Sequence, residues 1–145
     1  GDTMFASMYA AYDALSPNMK RYLDGMTALH DGAGAFARTA TNKLPVTEQP
    51  VIAKHPVTAR RLLYVNPIFT TRLCGVSRDE SDAVLSHLFH HCEHPNFQVR
   101  FNWKPHSVAF WDNRCTRHRA LWDYYPNLRS GYRIQIEGTD TVIPG

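Results

Sequence analysis

The stretch Phe97–His118 reads FQVRFNWKPHSVAFWDNRCTRH, and its alternation decides the fold prediction. Phe97, Val99, Phe101 and Trp103 fall on one side of an extended chain, and the side chains between them are polar. A second run, SVAFW, follows a Lys-Pro-His turn, and YRIQIE alternates again near the C-terminus. Short strands of this kind behind a helical first half predict an α+β fold, with a jelly roll or barrel and flanking helices.

Helical spacing dominates the first part of the chain. The apolar residues of Phe5–Leu15 recur at helical intervals and predict a first helix. Ser16 and Pro17 form a start signal for a second helix, whose apolar stripe continues to Leu29. Residues 30–59 contain glycines and prolines with little periodicity, which predicts a long loop. Such a loop is either a lid or binding segment, or a disordered insertion.

Two more elements are predicted in the middle of the chain. The stretch Arg61–Asn66 has the composition of a buried strand. Ser77 and Glu80 have the spacing of a capping box, so a helix is expected from there to about Cys92.

The composition fits one globular domain over residues 1–145, with a helical and loop insert at about 4–60 and C-terminal strands at about 96–138. No apolar run approaches the roughly 20 residues that span a bilayer, and no signal peptide is visible, so we expect no membrane association and a cytoplasmic location. The net charge of +3 is spread along the chain, which argues against nucleic acid and favours a small anionic ligand. Three widely spaced cysteines argue against a disulfide framework and a zinc knuckle. Homo-oligomerisation is left open.

Four of the eight histidines lie in the helix predicted before Cys92 or just after it. His87, His90, His91 and His94 share the side opposite the apolar residues, which predicts a solvated face rather than a metal site. The only H-x-[D/E] triplet in the chain is also here, but residues i and i+2 of a helix do not face one another. We therefore reject it as a pair of metal ligands. A weaker alternative is a metal-bridged contact between proteins through this face.

His118 stands apart because it follows a predicted strand and a short turn. Arg129 and Arg133 come next in the sequence, and guanidinium groups match carboxylate or sulfonate groups in a bidentate manner. The three residues together suggest an anion site. The alternatives are a histidine that only caps a turn and two unrelated surface arginines.

A family resemblance is carried by three motifs and by the two arginines after DYYP; the motifs are GDTMFASMYAAYDALS, LLYVNPIFTTR and FQVRFNWKPHSVAFWDNRCTRH. On these residues the chain resembles the taurine dioxygenase family of iron(II)- and 2-oxoglutarate-dependent oxygenases. The resemblance runs over nearly the whole chain. It implies a double-stranded β-helix of the cupin type that is incomplete at its N-terminus. The family's H-x-D iron ligands precede the GDT motif, so we expect this chain to be the C-terminal portion of a longer enzyme.

The resemblance also implies roles for six residues. His118 resembles the distal iron-ligand histidine and is the expected catalytic metal ligand. Thr3 and Arg129 resemble the residues that bind 2-oxoglutarate. Arg133, Phe36 and Phe69 resemble residues that bind the primary substrate, although the two phenylalanines also fit as ordinary core or loop aromatics.

The implied reaction uses O2 and 2-oxoglutarate to hydroxylate a small anionic organic substrate, with release of succinate and CO2. Ala35 replaces a small hydroxyl residue of the taurine enzymes, which argues against strict taurine specificity and leaves an alkyl sulfonate, an alkyl sulfate or an aryloxyalkanoate open. The competing hypothesis is a non-catalytic anion-binding module, or an inactive fragment, that lacks iron.

Overall fold

The computed structural model of the protein describes residues 1–33 and 45–145. The strands are β1 (Thr3–Ser7), β2 (Thr27–Asp31), β3 (Val46–Pro50), β4 (Ile52–Lys54), β5 (Arg61–Leu63), β6 (Thr70–Leu73), β7 (Gln98–Phe101), β8 (Thr116–Ala120) and β9 (Ile143–Pro144). The helices are α1 (Met8–Asp13), α2 (Pro17–Leu23) and α3 (Arg78–Cys92), with a 3-10 turn at Pro95–Phe97.

All strand pairs among the described residues are antiparallel, and they form three small sheets. Their strand orders are β7-β1-β8, β3-β2-β6 and β5-β4-β9. Helix α1 packs on β5, and α3 packs on β6. Helices combined with antiparallel sheets confirm the α+β character that the sequence predicts. No helix in the described part of the chain has the length and apolar character needed to cross a bilayer.

The core lies between the sheets and the inner faces of α1 and α3. Its fully buried side chains come from distant parts of the chain and include Leu23, Val51, Leu62, Leu63, Leu73 and Leu88. Helix α3 begins with the predicted capping box: the Ser77 side chain accepts from the backbone of Glu80, and the Glu80 carboxylate accepts from the backbone of Ser77. The prediction for this helix is confirmed.

The first third of the chain differs from its prediction. The predicted helix Phe5–Leu15 is wrong at its start, because Thr3–Ser7 is a strand that pairs with both β7 and β8, and the helix begins only after Ser7. The second helix ends at Leu23, since Gly25 adopts a left-handed φ of 73°, and the chain then enters β2. The predicted loop also contains β3 and β4, so the described parts of residues 4–60 hold strands as well as helices.

The predicted strands SVAFW and YRIQIE are not strands in the structure. An extended segment becomes a strand only when a neighbouring backbone takes up its hydrogen bonds, and none of the described residues pairs with either segment. Their apolar side chains stay exposed: Phe110 is 88% exposed, Tyr132 is fully exposed, and Ile134 is 89% exposed.

Candidate functional site

Strands β1 and β8 build the centre of the site. Their antiparallel register places Phe5 opposite His118 and Thr3 opposite Ala120. Because side chains two residues apart on a strand share a face, Thr3 and His118 project from the same side of this sheet. His118 therefore lies within β8, rather than after a strand as the sequence suggests.

His118 presents an imidazole that can accept a metal. Its ring contacts Trp111 at a centroid distance of 4.9 Å and Phe5 at 6.3 Å, and neither ring nitrogen is hydrogen-bonded within the described chain. Partial desolvation of the ring by its neighbours lowers the pKa of His118, although the residue is exposed at the cavity, and the positive charge of Arg133 lowers it further. The neutral imidazole favoured in this way is the form that binds metal ions.

The buried Thr3 hydroxyl already accepts two hydrogen bonds, which is as many as it can accept. Its Oγ1 accepts from Trp103 Nε1 at 2.9 Å and from Arg129 Nη2 at 3.3 Å. A hydroxyl has two acceptor lone pairs and one proton, so both lone pairs are used. The Thr3 proton is left to donate to an acceptor such as a carboxylate oxygen.

Arg129 approaches the same point from the C-terminal segment. Its Nε donates to the carbonyl oxygen of Gly1 at 3.1 Å, and one Nη2 hydrogen goes to Thr3. Three of the five guanidinium hydrogens remain for a ligand. Arg129 is thus held in place and still able to pair with a carboxylate.

An ionic network that the sequence does not predict anchors the start of β1. The buried carboxylate of Asp2 accepts from Arg100 Nε at 2.5 Å and from Asn102 Nδ2 at 2.8 Å. Asp123 accepts from the Asp2 backbone at 3.0 Å and from Arg100 Nη2 at 2.6 Å. In the sequence, Arg100 and Asn102 are visible only as polar residues of the alternating stretch FQVRFNW, and the alternation predicts that they face solvent rather than Asp2.

One cavity of about 1020 Å³ brings four of the six predicted site residues together: Thr3, His118, Arg129 and Arg133. Phe69 lies in the turn before β6 and is not among the described residues that line this cavity, so its substrate role stays a prediction. Phe36, like Ala35, lies outside the described residues.

The helical histidines follow the prediction with one exception. His87, His90 and His94 are exposed. His91 is half-buried instead, and its Nε2 donates to the carbonyl oxygen of Ala11 at 2.8 Å. The rejection of His91 as half of a metal pair therefore gains a structural reason, because this nitrogen is already used.

The residues present fit a metal ion bound together with a dicarboxylate. The described lining of the cavity offers a free imidazole, a hydroxyl donor and two arginines, and it contains no carboxylate of its own. A neutral imidazole is a common ligand of iron, and the cationic and hydroxyl donors suit an anionic cosubstrate. These features fit the class of metal-dependent, anion-binding proteins.

The chain belongs to the family described as "Taurine catabolism dioxygenase TauD, TfdA family", whose model matches residues 1–135. It is 39% identical over 145 residues to an alpha-ketoglutarate-dependent sulfonate dioxygenase of Schizosaccharomyces pombe, covering 95% of this chain and 37% of the relative. An alkylsulfatase of Acinetobacter baylyi is 30% identical over 157 residues, covering 98% and 49%.

A solved taurine dioxygenase from Burkholderia xenovorans superposes with a TM-score of 0.71 at 40% identity, covering 81% of this chain and 39% of that protein. The chain thus spans less than half the length of these relatives. Enzymes of this family use iron(II) and 2-oxoglutarate, which is also called alpha-ketoglutarate. The resemblance predicted from the sequence is confirmed.

Proposed function

We propose that these 145 residues belong to an iron(II)- and 2-oxoglutarate-dependent dioxygenase that hydroxylates a small anionic organic substrate. The observation that carries the proposal is the single cavity shared by His118, Thr3, Arg129 and Arg133. The complete catalytic domain is a double-stranded β-helix, to which the described sheets contribute a part, and a cytoplasmic location belongs to the same proposal.

Each of these four cavity residues has a proposed role in binding or catalysis. His118 supplies one neutral imidazole to iron, and the remaining protein ligands come from outside the described residues. The Thr3 hydroxyl donates to a carboxylate oxygen of 2-oxoglutarate, and Arg129 pairs with the carboxylate at the other end. Arg133 binds the anionic head of the substrate and so fixes which C–H bond faces the metal. When bound, iron would couple the oxidative decarboxylation of 2-oxoglutarate by O2, which gives succinate and CO2, to insertion of the second oxygen atom into a substrate C–H bond, which gives the alcohol.

Arg133 limits the substrate to compounds with an anionic head group. A guanidinium binds sulfonate, sulfate and carboxylate groups through similar paired hydrogen bonds. The relatives in fission yeast and Acinetobacter are named for a sulfonate and an alkyl sulfate, respectively. We therefore propose an alkyl sulfonate, an alkyl sulfate or an aryloxyalkanoate as the substrate.

The test measures succinate released by the full-length protein with iron(II), O2 and a panel of these three substrate classes. One class should increase succinate formation, and Arg133→Gln should raise the KM for that substrate by about tenfold or more, the loss of a charge-assisted pair of about 1.5 kcal/mol or more. Arg119→Gln is the matched control, because Arg119 lies next to His118 on β8 and is exposed on the other face. Succinate formation that no anionic substrate stimulates would contradict the proposal.

The second candidate is a non-catalytic anion-binding module. It is favoured by the absence of any carboxylate among the described residues that line the cavity. Binding of 2-oxoglutarate that is unchanged by iron(II), measured by calorimetry on the full-length protein, would support this candidate against the enzyme. The 145 residues alone are expected to turn over no substrate, and robust turnover by them would contradict that expectation.

A further inference from the structure

A turn at residues 111–115 leads directly into β8, and Asp112 organises it. Oδ1 of Asp112 accepts from the Arg114 backbone at 2.8 Å and from Arg114 Nε at 3.0 Å. Oδ2 accepts from Arg114 Nη2 at 2.6 Å and from His55 Nε2 at 3.0 Å. The Arg114 guanidinium and the His55 hydrogen bond hold the pKa of Asp112 well below its usual range, although burial opposes this. The carboxylate is therefore ionised and fully engaged.

His55 comes from the connection between β4 and β5 and is only 5% exposed. Its Nδ1 accepts from the backbone of Val57 at 3.2 Å and from that of Thr58 at 3.3 Å. A neutral imidazole that accepts at Nδ1 must carry its proton at Nε2. The hydrogen bonds therefore fix the tautomer in which His55 donates to Asp112.

The same cluster resembles a metal site, because ligand atoms of His55, Asp112 and Cys115 all lie within 4.8 Å of one another. Its hydrogen bonding argues against that use. A metal at His55 Nε2 would force the proton onto Nδ1, where two backbone N–H groups already point. It would also compete with the guanidinium of Arg114 for Asp112. These contacts favour a structural clamp over a metal centre.

The clamp reaches the candidate metal ligand through Trp111. The Trp111 ring contacts the His118 ring at a centroid distance of 4.9 Å and the Phe5 ring at 5.1 Å. At the other end of the turn, the Cys115 carbonyl accepts from the Met8 backbone at 3.0 Å. Displacement of Asp112 would therefore move both the indole that packs on His118 and the entry to β8.

We propose that His55 is a positioning residue for the metal site: through Asp112, its Nε2–H fixes the turn that sets Trp111 against His118. This inference rests on the proposed function only in treating His118 as a metal ligand. Partners hydrogen-bonded to a metal ligand change metal affinity by about 10- to 100-fold, and because His55 acts on His118 through Asp112 and Trp111 we expect the lower end of that range. The effect of losing His55 should accordingly appear in metal binding.

The test is calorimetric titration of the full-length protein with Mn(II) in the presence of 2-oxoglutarate. His55→Leu removes the donor and fills the space, and we expect it to weaken Mn(II) binding by about tenfold. His55→Gln restores an N–H near the position of Nε2 and should recover affinity to within about threefold of the wild type. Asp112→Asn, which keeps the shape and removes the charge, should weaken binding as His55→Leu does.

The control for a merely structural effect is Ser81→Ala, which destabilises the fold at a buried site remote from the cavity. Mn(II) affinity should stay within about twofold of the wild type in this variant, because it leaves every neighbour of His118 in place. If His55→Leu and Ser81→Ala alter Mn(II) affinity equally, or if His55→Gln gives no recovery, the positioning role is refuted.

Two further results separate this inference from its alternatives. Stoichiometric Zn(II) binding that is lost in Cys115→Ser would overturn the clamp in favour of a metal site. If the wild type binds Mn(II) with the expected response to His55 but releases no succinate with any substrate, the proposed enzyme function fails and the positioning role stands.

Discussion

Replacing Trp103 with phenylalanine tests how the Thr3 hydroxyl is prepared for its ligand. Trp103 Nε1 donates to Thr3 Oγ1 at 2.9 Å, and this bond fills one of the two acceptor positions of the hydroxyl. Phenylalanine keeps most of the ring that packs edge-on against Phe101 but cannot donate. In Trp103→Phe the Thr3 oxygen regains a free lone pair, and its proton is no longer directed solely at an incoming carboxylate.

The magnitude follows from the loss of one neutral hydrogen bond. Such a bond contributes about 0.5–1.5 kcal/mol, so the Kd for 2-oxoglutarate should rise by about 2- to 12-fold. The fold itself should lose no more than about 1.5 kcal/mol, since the indole is already 37% exposed and water can replace part of the contact.

The assay is calorimetric binding of 2-oxoglutarate to the full-length, metal-loaded protein. Trp122→Phe is the matched control, because Trp122 is 82% exposed and is not one of the two donors that hydrogen-bond Thr3 Oγ1 in the described chain. The control should bind 2-oxoglutarate like the wild type. An unchanged Kd in Trp103→Phe, or an equal loss in both variants, would refute the role assigned to Thr3.

Two further predictions concern the stability of the fold. The buried Ser81 hydroxyl accepts from the Leu73 backbone N–H at 2.9 Å, and Ser81→Ala removes this acceptor. The variant should lower the free energy of unfolding by about 1–3 kcal/mol in urea denaturation. The control Ser86→Ala, at an exposed position, should change it by less than about 0.5 kcal/mol. His30 bonds to Thr70 Oγ1 at 3.0 Å, and burial lowers the pKa of this histidine. The unfolded chain therefore takes up a proton at His30 at a higher pH than the folded chain does. Because of this difference, the melting temperature should fall as the pH drops below about 6.5. His30→Gln should flatten this dependence, and an unchanged slope would contradict the assignment.

Local signals in the sequence predicted the structure correctly where interactions between residues close together in the sequence determine it. The capping box at Ser77 and Glu80 fixed the start of α3 correctly, because its two hydrogen bonds span only three residues. The alternation in FQVRFNW predicted β7 because consecutive side chains carry the period-2 pattern, even though the strand's pairing partner is distant. Phe5–Ser7 was assigned to a helix because the strand character of this segment depends on pairing with β7 and β8, which lie about a hundred residues away.

In the candidate site, too, some residues were predicted from the sequence and others were not. The family resemblance predicted that His118, Thr3, Arg129 and Arg133 belong to one site, and the structure gathers them around one cavity. The residues that support them were not predicted. Asp2 meets Arg100 across 98 positions and His55 meets Asp112 across 57, and no periodicity or motif in a single sequence reveals such contacts.

The central claim is that His118 is a metal ligand of a 2-oxoglutarate-dependent dioxygenase. It is tested most directly by substrate-linked succinate formation in the full-length protein carrying His118→Ala. We expect succinate formation to be abolished in this variant and unchanged in His90→Ala, whose histidine lies on the exposed face of α3. Full activity of His118→Ala would contradict the metal assignment.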